Sequence, residues 1–179
     1  DFPEIGVRLG GSIRHLRGSD AGPTGMLLVR PGRIRSVDIA RIALERALLP
    51  PSQAARPSAS VLGFGEGRAV ACYTLAEFAN EREWIEKLLG WYMRGMRQPV
   101  HAFPNCARAF AEAWVKGKGA SPSQAAEKAW LEGEYPEGID AFNALISRHR
   151  GEAVLDEQFE AFASEVYVPL HRMLAKVKS

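Results

Sequence analysis

Strand-like patterns occur only in the first 75 residues of this 179-residue chain, and that restriction limits its possible folds more than any other feature. Short apolar or alternating runs bounded by glycine or proline predict strands at residues 5–9, 13–16, 26–29 and 69–73. The turn Gly65-Glu66-Gly67 before the last of these predicts a second hairpin over residues 60–75. One helical pattern is inserted among them, and helical spacing dominates afterwards. We therefore expect an α/β (α+β) fold in one domain over 1–179, strand-rich over 1–75 and helical over 76–179.

Capping signals predict where the helices begin. Ser36 is placed to cap the inserted helix, and Asp38 falls in its first turn, where the helix dipole favours an acid. The next helix has two competing start signals, Thr74 with Glu77 and Asn80 with Glu83. Later in the chain, the capping box Ser121-Pro122-Ser123-Gln124 and Asp156 each predict the start of a helix, and Pro169 predicts a kink in the last one.

Positive charge is concentrated near the beginning of the chain, although the formal net charge is only +2. Phosphate contacts in nucleic-acid complexes come mostly from arginine and lysine side chains, so this cluster predicts a sequence-independent nucleic-acid surface. The alternative is an ordinary solvated surface, and residues 4–63 contain no aromatic side chain on which a base could stack. The predicted nucleic-acid-binding residues are Arg8, Arg14, Arg17, Arg30, Arg33 and Arg35.

The segment 11–35 is predicted to form a hairpin that lacks the groups needed for metal-dependent hydrolysis. Such chemistry requires clustered carboxylates and a lysine, but this segment contains only Asp20 and no lysine. The second strand of the hairpin is expected to end at Pro31-Gly32. We predict no catalytic residue and no metal ligand, and an active nuclease would require Glu45 of the first helix to meet Asp20.

Cysteine usage and hydropathy favour an intracellular setting. Cys72 and Cys106 have no metal-type spacing and fit reduced thiols in a cytoplasmic protein. No apolar run is long enough to span a membrane, so no membrane partner is expected. Because the chain opens on Asp-Phe-Pro and soon enters a strand-like segment, we interpret it as a fragment of a larger subunit.

The segment "GWYMRGMRQPVHAFPN" gathers aromatic, methionine and arginine residues around a glycine and two prolines. This composition is typical of the core of a protein–protein interface, and we predict that Trp91, Met93 and Phe103 contact a partner. The alternative, weighed equally on composition alone, is that these residues close the domain's own helical core.

The surrounding segment "WIEKLLGWYMRGMRQPVHAFPNCARAFAEAWVKG" resembles the C-terminal region of the exodeoxyribonuclease V gamma subunit, the RecC family. The resemblance covers nearly the whole chain and is most specific between Trp84 and Val115, where its motifs lie at residues 92–96, 98–100 and 103–104 and in the helix containing Trp114. Further similarity is found downstream in "AAEKAWLEG" and "VYVPLHRML".

That resemblance implies a degenerate restriction-endonuclease-like (PD-(D/E)xK-like) fold, a small mixed sheet flanked by helices that no longer cuts DNA. Residues 11–14 match the family's first nuclease motif, with Arg14 in place of the acid. Leu28 and Arg30 stand near the acid and lysine places of the second motif. The hairpin is then a former nuclease element that is retained as scaffold.

The resemblance also implies a functional setting. A RecC-like subunit belongs to a bacterial ATP-dependent helicase–nuclease that processes DNA double-strand breaks for repair and recombination, so this domain would assist strand handling and subunit assembly. The implied partners are RecB-like and RecD-like subunits and single-stranded DNA, bound independently of sequence. ATP and magnesium would belong to those subunits, with no cofactor in this domain. The alternative is a stand-alone nucleic-acid-binding module.

Overall fold

A computed structural model describes residues 2–10, 12–19, 22–49, 57–65, 69–76, 80–132, 136–148 and 154–177. The chain has mixed α/β architecture, which confirms the coarse fold class. It divides into two compact units: Asp1–Glu86 with Met173–Ser179, here called the sheet unit, and Lys87–Arg172, here called the helical unit. The division falls at residue 86, whereas the sequence pattern placed it at residue 75.

The sheet unit contains a five-stranded mixed sheet in the order β1-β2-β3-β4-β5. Only the β2–β3 pair is parallel, and α1 connects these two strands, as a crossover between parallel neighbours requires. β3 and β4 form the predicted second hairpin. The strands are β1 Leu16–Ser19, β2 Gly22–Arg33, β3 Ser58–Phe64, β4 Val70–Leu75 and β5 Leu174–Val177, and α1 spans Ser36–Ala47.

Strand residues alternate between two faces of this sheet, and α1 packs on β2 and β3 over what we call the inner face. In α1 the apolar side chains of Ile39, Ile42 and Ala43 are buried at helical spacing. Most apolar strand residues of the inner face are almost fully buried: Met26, Leu28, Ala59, Val61, Ala71 and Leu75. The core of the sheet unit therefore lies between α1 and this face.

β2 continues past the predicted stop at Pro31-Gly32 and ends at Arg33, so that prediction is wrong. Its pairing with β3 is interrupted between Val29 and Arg33. Pro31 lies within this interruption, so its lack of an amide proton removes no hydrogen bond between the two strands. This part of the chain lies so close to Gly63 that a Cβ added to Gly63 would be 2.8 Å from Ile34 Cγ1 and 2.9 Å from the Gly32 carbonyl oxygen.

Other strand and helix limits also differ from the predictions. The strand predicted at residues 5–9 is replaced by the 3₁₀ helix Pro3–Ile5, and the one at 13–16 begins only at Leu16. Ser36 is the first residue of α1 rather than its cap. Thr74 lies in β4, so the second start signal is correct: α2 begins directly after Asn80.

The remaining helices follow from their caps and apolar spacing. Ser121 caps α4 as predicted, with reciprocal hydrogen bonds to Gln124, and Asp156 caps α6 by accepting from the Phe159 amide. A π-helical turn over Ala163–Tyr167 precedes Pro169, which lies in the first turn of α7, and the kink expected at Pro169 stays a prediction. The helices are α2 Glu81–Gly95, α3 Pro104–Lys116, α4 Pro122–Leu131, α5 Ala141–Arg148, α6 Glu157–Phe162 and α7 Val168–Met173, with a 3₁₀ helix Glu137–Ile139.

Aromatic packing forms the core of the helical unit. Phe103 contacts Trp130 edge-on at 4.8 Å between ring centroids, and Phe110 contacts Phe159 edge-on at 6.0 Å. At the start of α3, the buried Glu137 carboxylate accepts from the amides of Asn105 and Cys106, at 2.9 and 2.8 Å. These are amides that the helix itself leaves without partners, so Glu137 ties the 3₁₀ helix to α3.

β5 was not predicted, because the sequence pattern continued the last helix to residue 174. In the structure the chain leaves α7 at Met173 and pairs antiparallel with β4, Leu174 opposite Leu75 and Val177 opposite Cys72. A hydrogen bond of 2.9 Å from the Ala76 amide to the Met173 carbonyl oxygen extends this pairing. The sheet unit is therefore built from two separate stretches of the chain.

Candidate nucleic-acid interface

On β2 the position expected for a nuclease lysine is occupied by an arginine that is already paired. Arg30 shares the side of β2 on which Leu28 is buried, and its Nη1 and Nε lie 3.3 Å from the two carboxylate oxygens of Asp38 on α1. Asp38 Oδ2 also accepts from the Arg35 amide at 2.8 Å, as expected for an acid in the first turn of a helix. This carboxylate is thus bound by a guanidinium and a backbone amide.

The second acid of α1 that faces the hairpin is Glu45. Its carboxylate lies 2.7 Å from His15 Nδ1, just before β1, and 3.1 Å from Arg41 Nε. Burial raises the pKa of Glu45, but the hydrogen bonds from His15 and Arg41 outweigh burial and the pKa is lowered. Glu45 therefore stays ionised at neutral pH while bound by two basic side chains.

These two ion-pair clusters make the hairpin region chemically unlike a metal site. A divalent cation needs several carboxylate oxygens without a competing positive charge, and both α1 acids have basic neighbours within hydrogen-bonding distance. No group of three potential metal ligands occurs among the residues that the structure describes. Asp20 and Gly11 lie outside the described residues, whereas Arg14, in place of the first-motif acid, is exposed.

The six predicted phosphate-binding arginines fall into two groups. Arg30 and Arg35 are tied to Asp38, and Arg30 Nε also donates to the Arg33 carbonyl oxygen at 3.0 Å. Five of the six have exposed side chains, Arg8, Arg14, Arg17, Arg33 and Arg35, and Arg35 Nε lies 4.0 Å from Asp38 Oδ2. The nucleic-acid-binding role of all six stays a prediction, and its charge would come mainly from the exposed group.

The three predicted partner-contact residues are separated by burial. Trp91 is only 8% exposed, donates to Glu165 at 2.8 Å and packs edge-on against Phe162. Phe103 is 2% exposed inside the aromatic core. Both are therefore buried in the core of the helical unit, whereas Met93 is 39% exposed, and the partner-contact role of the three residues stays a prediction.

A buried ion pair in the sheet unit was not predicted from the sequence. Arg46 and Glu81 lie 2.7 Å apart and are almost fully buried, and Arg46 also donates to the Leu75 and Ala76 carbonyl oxygens at 2.9 and 2.8 Å. A signal was present, since Arg46 continues the buried helical spacing of Ile39, Ile42 and Ala43. Arg46 joins α1 and the end of β4 to the start of α2.

Comparison with protein families decides the assignment of the chain. The family model described as the RecC C-terminal domain matches residues 1–114, which is more than half of the sequence. The chain belongs to the RecC C-terminal domain family. The family assignment is thereby confirmed, and the matched region contains the whole hairpin–α1 region and α2 and most of α3.

Two further findings accompany the family assignment. No curated protein matches the chain. Among the described residues, no helix is both long enough and apolar enough to cross a membrane.

Proposed function

We propose that this RecC-family chain is a non-catalytic domain of a RecC-like subunit of exodeoxyribonuclease V. It would support strand handling and subunit assembly during double-strand-break repair and recombination in the bacterial cytoplasm. One observation supports the absence of catalysis above all others: Arg30 of β2 binds the carboxylate of Asp38 on α1. Metal-dependent cleavage would require free carboxylates and a lysine in this region.

The same region supports a degenerate restriction-endonuclease-like fold as part of this proposal. A mixed sheet with a helical crossover between its parallel strands is compatible with it. The exposed Arg14 at the position of the first-motif acid and the buried Leu28 near the position of the second-motif acid are also compatible with this fold. ATP and magnesium would act in the RecB-like and RecD-like partner subunits, and this domain would need neither.

The experiment that tests catalytic silence is a cleavage assay on the purified chain. Labelled single-stranded and linear double-stranded DNA are incubated with magnesium or manganese, and calorimetry measures metal binding in parallel. We expect neither cleavage nor binding of either ion at the hairpin. Metal-dependent cleavage that is lost in Glu45→Gln or Asp20→Asn, with the melting temperature unchanged, would overturn the proposal.

The DNA-handling part depends on the exposed arginines. We expect weak, sequence-independent binding of single-stranded DNA whose affinity falls steeply with salt, because phosphate contacts release counterions. Reversing Arg14, Arg17, Arg33 and Arg35 to glutamate should abolish it. The matched control reverses four basic residues of the helical unit, Arg97, Lys118, Lys128 and Arg172, and thus changes the net charge equally. Equal losses in both variants would show only a bulk-charge effect.

A stand-alone nucleic-acid-binding module is the second candidate, and the exposed arginines favour it. Co-purification with RecB-like and RecD-like subunits distinguishes the two functions. The proposed role predicts that the subunit containing this domain is recovered in a complex, and that Met93→Glu weakens recovery while the buried Trp91 is left intact. DNA binding without any recovery of partner subunits would favour the module instead.

A further inference from the structure

One carboxylate contacts two of the six arginines that are proposed to bind DNA, which are here called the arginine cluster. Among the described residues between positions 5 and 44, Asp38 is the only acid, and the same stretch contains seven arginines. The other acid of α1, Glu45, contacts His15 and Arg41, neither of which belongs to the arginine cluster. Asp38 is therefore the acid of α1 that acts on this cluster.

Arg30 uses two donors on Asp38, as it would on a phosphate. Its Nη1 lies 3.3 Å from one carboxylate oxygen of Asp38, and its Nε lies 3.3 Å from the other. A phosphodiester also presents two free oxygens, and arginine binds carboxylates and phosphates alike with a fork of parallel donors. The Arg30 side chain is 30% exposed, so it lies near solvent while these donors are occupied.

Arg35 is held more loosely by the same carboxylate. Its backbone amide donates to Asp38 Oδ2 at 2.8 Å, whereas its guanidinium Nε is 4.0 Å from that oxygen. The Arg35 side chain is 60% exposed, and an ion pair with so exposed a partner contributes little stability. Its guanidinium can therefore leave Asp38 for a phosphate, but the negative charge beside it lowers the positive potential that a DNA strand meets.

We propose that Asp38 competes with DNA phosphates for Arg30 and Arg35, and that this competition limits the affinity of the arginine cluster for DNA. The inference rests on the proposed function, because it concerns the regulation of the DNA-binding surface named there. Weak, sequence-independent phosphate contacts allow a protein to move along DNA. An internal acid that keeps these contacts weak therefore suits a domain that handles moving strands.

The test compares the DNA affinity of the full chain with that of Asp38→Asn. Asparagine removes the charge but keeps an oxygen that can accept from the Arg35 amide, so the start of α1 is preserved. Fluorescence anisotropy with a labelled oligothymidine, repeated at several salt concentrations, gives the affinity and its salt dependence. We expect Asp38→Asn to bind about fivefold more tightly and its slope of log affinity against log salt to steepen by about 0.7, as for one additional phosphate contact.

Glu112→Gln is the matched control, because it removes one negative charge from the helical unit and releases Lys116, whose Nζ lies 2.6 Å from that carboxylate. It should leave the affinity and the slope close to those of the unchanged chain. When Arg30 and Arg35 are both replaced by glutamine, Asp38→Asn should no longer strengthen binding, because the side chains that it would release are absent. Asp38→Ser also removes the charge and repeats the comparison independently, with melting temperatures measured for every variant.

The outcomes distinguish this inference from the proposed function. If the unchanged chain binds DNA and folded Asp38→Asn and Asp38→Ser bind it no more tightly, the inference is overturned while the proposed function stands. An equal gain in Glu112→Gln would also overturn it, because the effect would then come from net charge alone. If neither the unchanged chain nor any variant binds DNA, the proposed DNA-handling role fails and this inference fails with it.

Discussion

The two units stabilise their most buried carboxylates by different means. In the sheet unit, Glu81 is paired with the guanidinium of Arg46, which also donates to two backbone carbonyl oxygens. In the helical unit, Glu137 has backbone amides of α3 as its partners. The first arrangement depends on two side chains that are both charged, whereas the second depends on one charge and the geometry of a helix terminus.

This difference has a consequence for how substitutions act in each unit. Removing either member of a buried ion pair leaves the other as an uncompensated charge in a low-dielectric environment. Removing Glu137 leaves only neutral amides, whose loss of partners costs less. Burial raises the pKa of the Cys106 thiol, and the negative charge of Glu137 raises it further. This thiol therefore stays protonated and unreactive.

The largest effect is expected from breaking the ion pair of the sheet unit. Arg46→Ala should lower the free energy of unfolding by about 3–5 kcal/mol, because Glu81 and two carbonyl oxygens lose their donor. Urea unfolding followed by circular dichroism measures the change. In a double-mutant cycle, Arg46→Met with Glu81→Leu should recover much of the loss. A double variant as unstable as the sum of its parts would show that charge pairing is not the cause.

A smaller loss is expected from removing the carboxylate of the helical unit. Glu137→Ala should cost about 1–3 kcal/mol, since the buried amide of Cys106 and the part-buried amide of Asn105 lose their acceptor. Glu137→Gln keeps one acceptor oxygen and should cost less. Tryptophan fluorescence during urea unfolding suits the measurement, because Trp130 lies next to Gly138. If Glu137→Ala proves as costly as Arg46→Ala, the distinction between the units is wrong.

Two glycines allow the packing of the units to be compared with one type of substitution. Gly63→Ala should destabilise the sheet unit by about 1–3 kcal/mol, because a Cβ would clash with Ile34 and the Gly32 carbonyl oxygen. Gly90, inside α2, has open space where a Cβ would be added. Gly90→Ala should therefore stabilise the protein by about 0.5–1 kcal/mol. Thermal melts of both variants give the two signs directly, and equal signs would refute the contrast.

The smallest effects are expected in acid, from a carboxylate in each unit that lies close to a histidine, Glu45 beside His15 and Asp156 beside His101. Burial raises the pKa of Glu45 and of Asp156, but His15 and His101 respectively contribute to a net lowering. A carboxyl with a lowered pKa in the folded state stabilises the fold above its ordinary pKa, and this contribution is lost as the pH falls through the lowered value.

His15→Gln and His101→Gln should each raise the pKa of the neighbouring carboxyl, and NMR titration of the side-chain carboxyl carbons measures it. Because the carboxyl pKa then lies closer to its ordinary value, the carboxyl should contribute less to the stability lost between neutral pH and about pH 3 in each variant than in the unchanged chain. A carboxyl pKa that does not move on histidine removal would assign the shift to the remaining donors, Arg41 for Glu45 and the Phe159 amide for Asp156.

Local sequence signals predicted those features that depend on local interactions. The capping box at Ser121, the start of α6 at Asp156 and the β3–β4 hairpin are all correct, because each depends on residues a few positions apart. β5 was missed because its conformation is set by pairing with β4, far away in sequence. The end of β2 was misplaced because Pro31 lies where pairing with β3 is interrupted.

The candidate site shows the same limit. Composition identified the arginine cluster, but only the fold shows that Arg30 and Arg35 are engaged by Asp38 while Arg14 and Arg17 remain exposed. The aromatic segment around Trp91 and Phe103 had two interpretations of equal weight, and burial favours the domain's own core for both residues. Side-chain type predicts which interactions are possible, and only three-dimensional packing determines which of them form.

The return of the chain to β5 has a consequence for the order of folding. Leu174 pairs with Leu75, so the β4–β5 pairing closes a loop of about a hundred residues. The entropy cost of closing this loop precedes the hydrogen bonds between β4 and β5. The contacts of the helical unit within that loop are more local and should form earlier. We expect pulsed hydrogen exchange during refolding to protect amides of α3 and α4 before those of β4 and β5, and the reverse order would contradict this sequence of events.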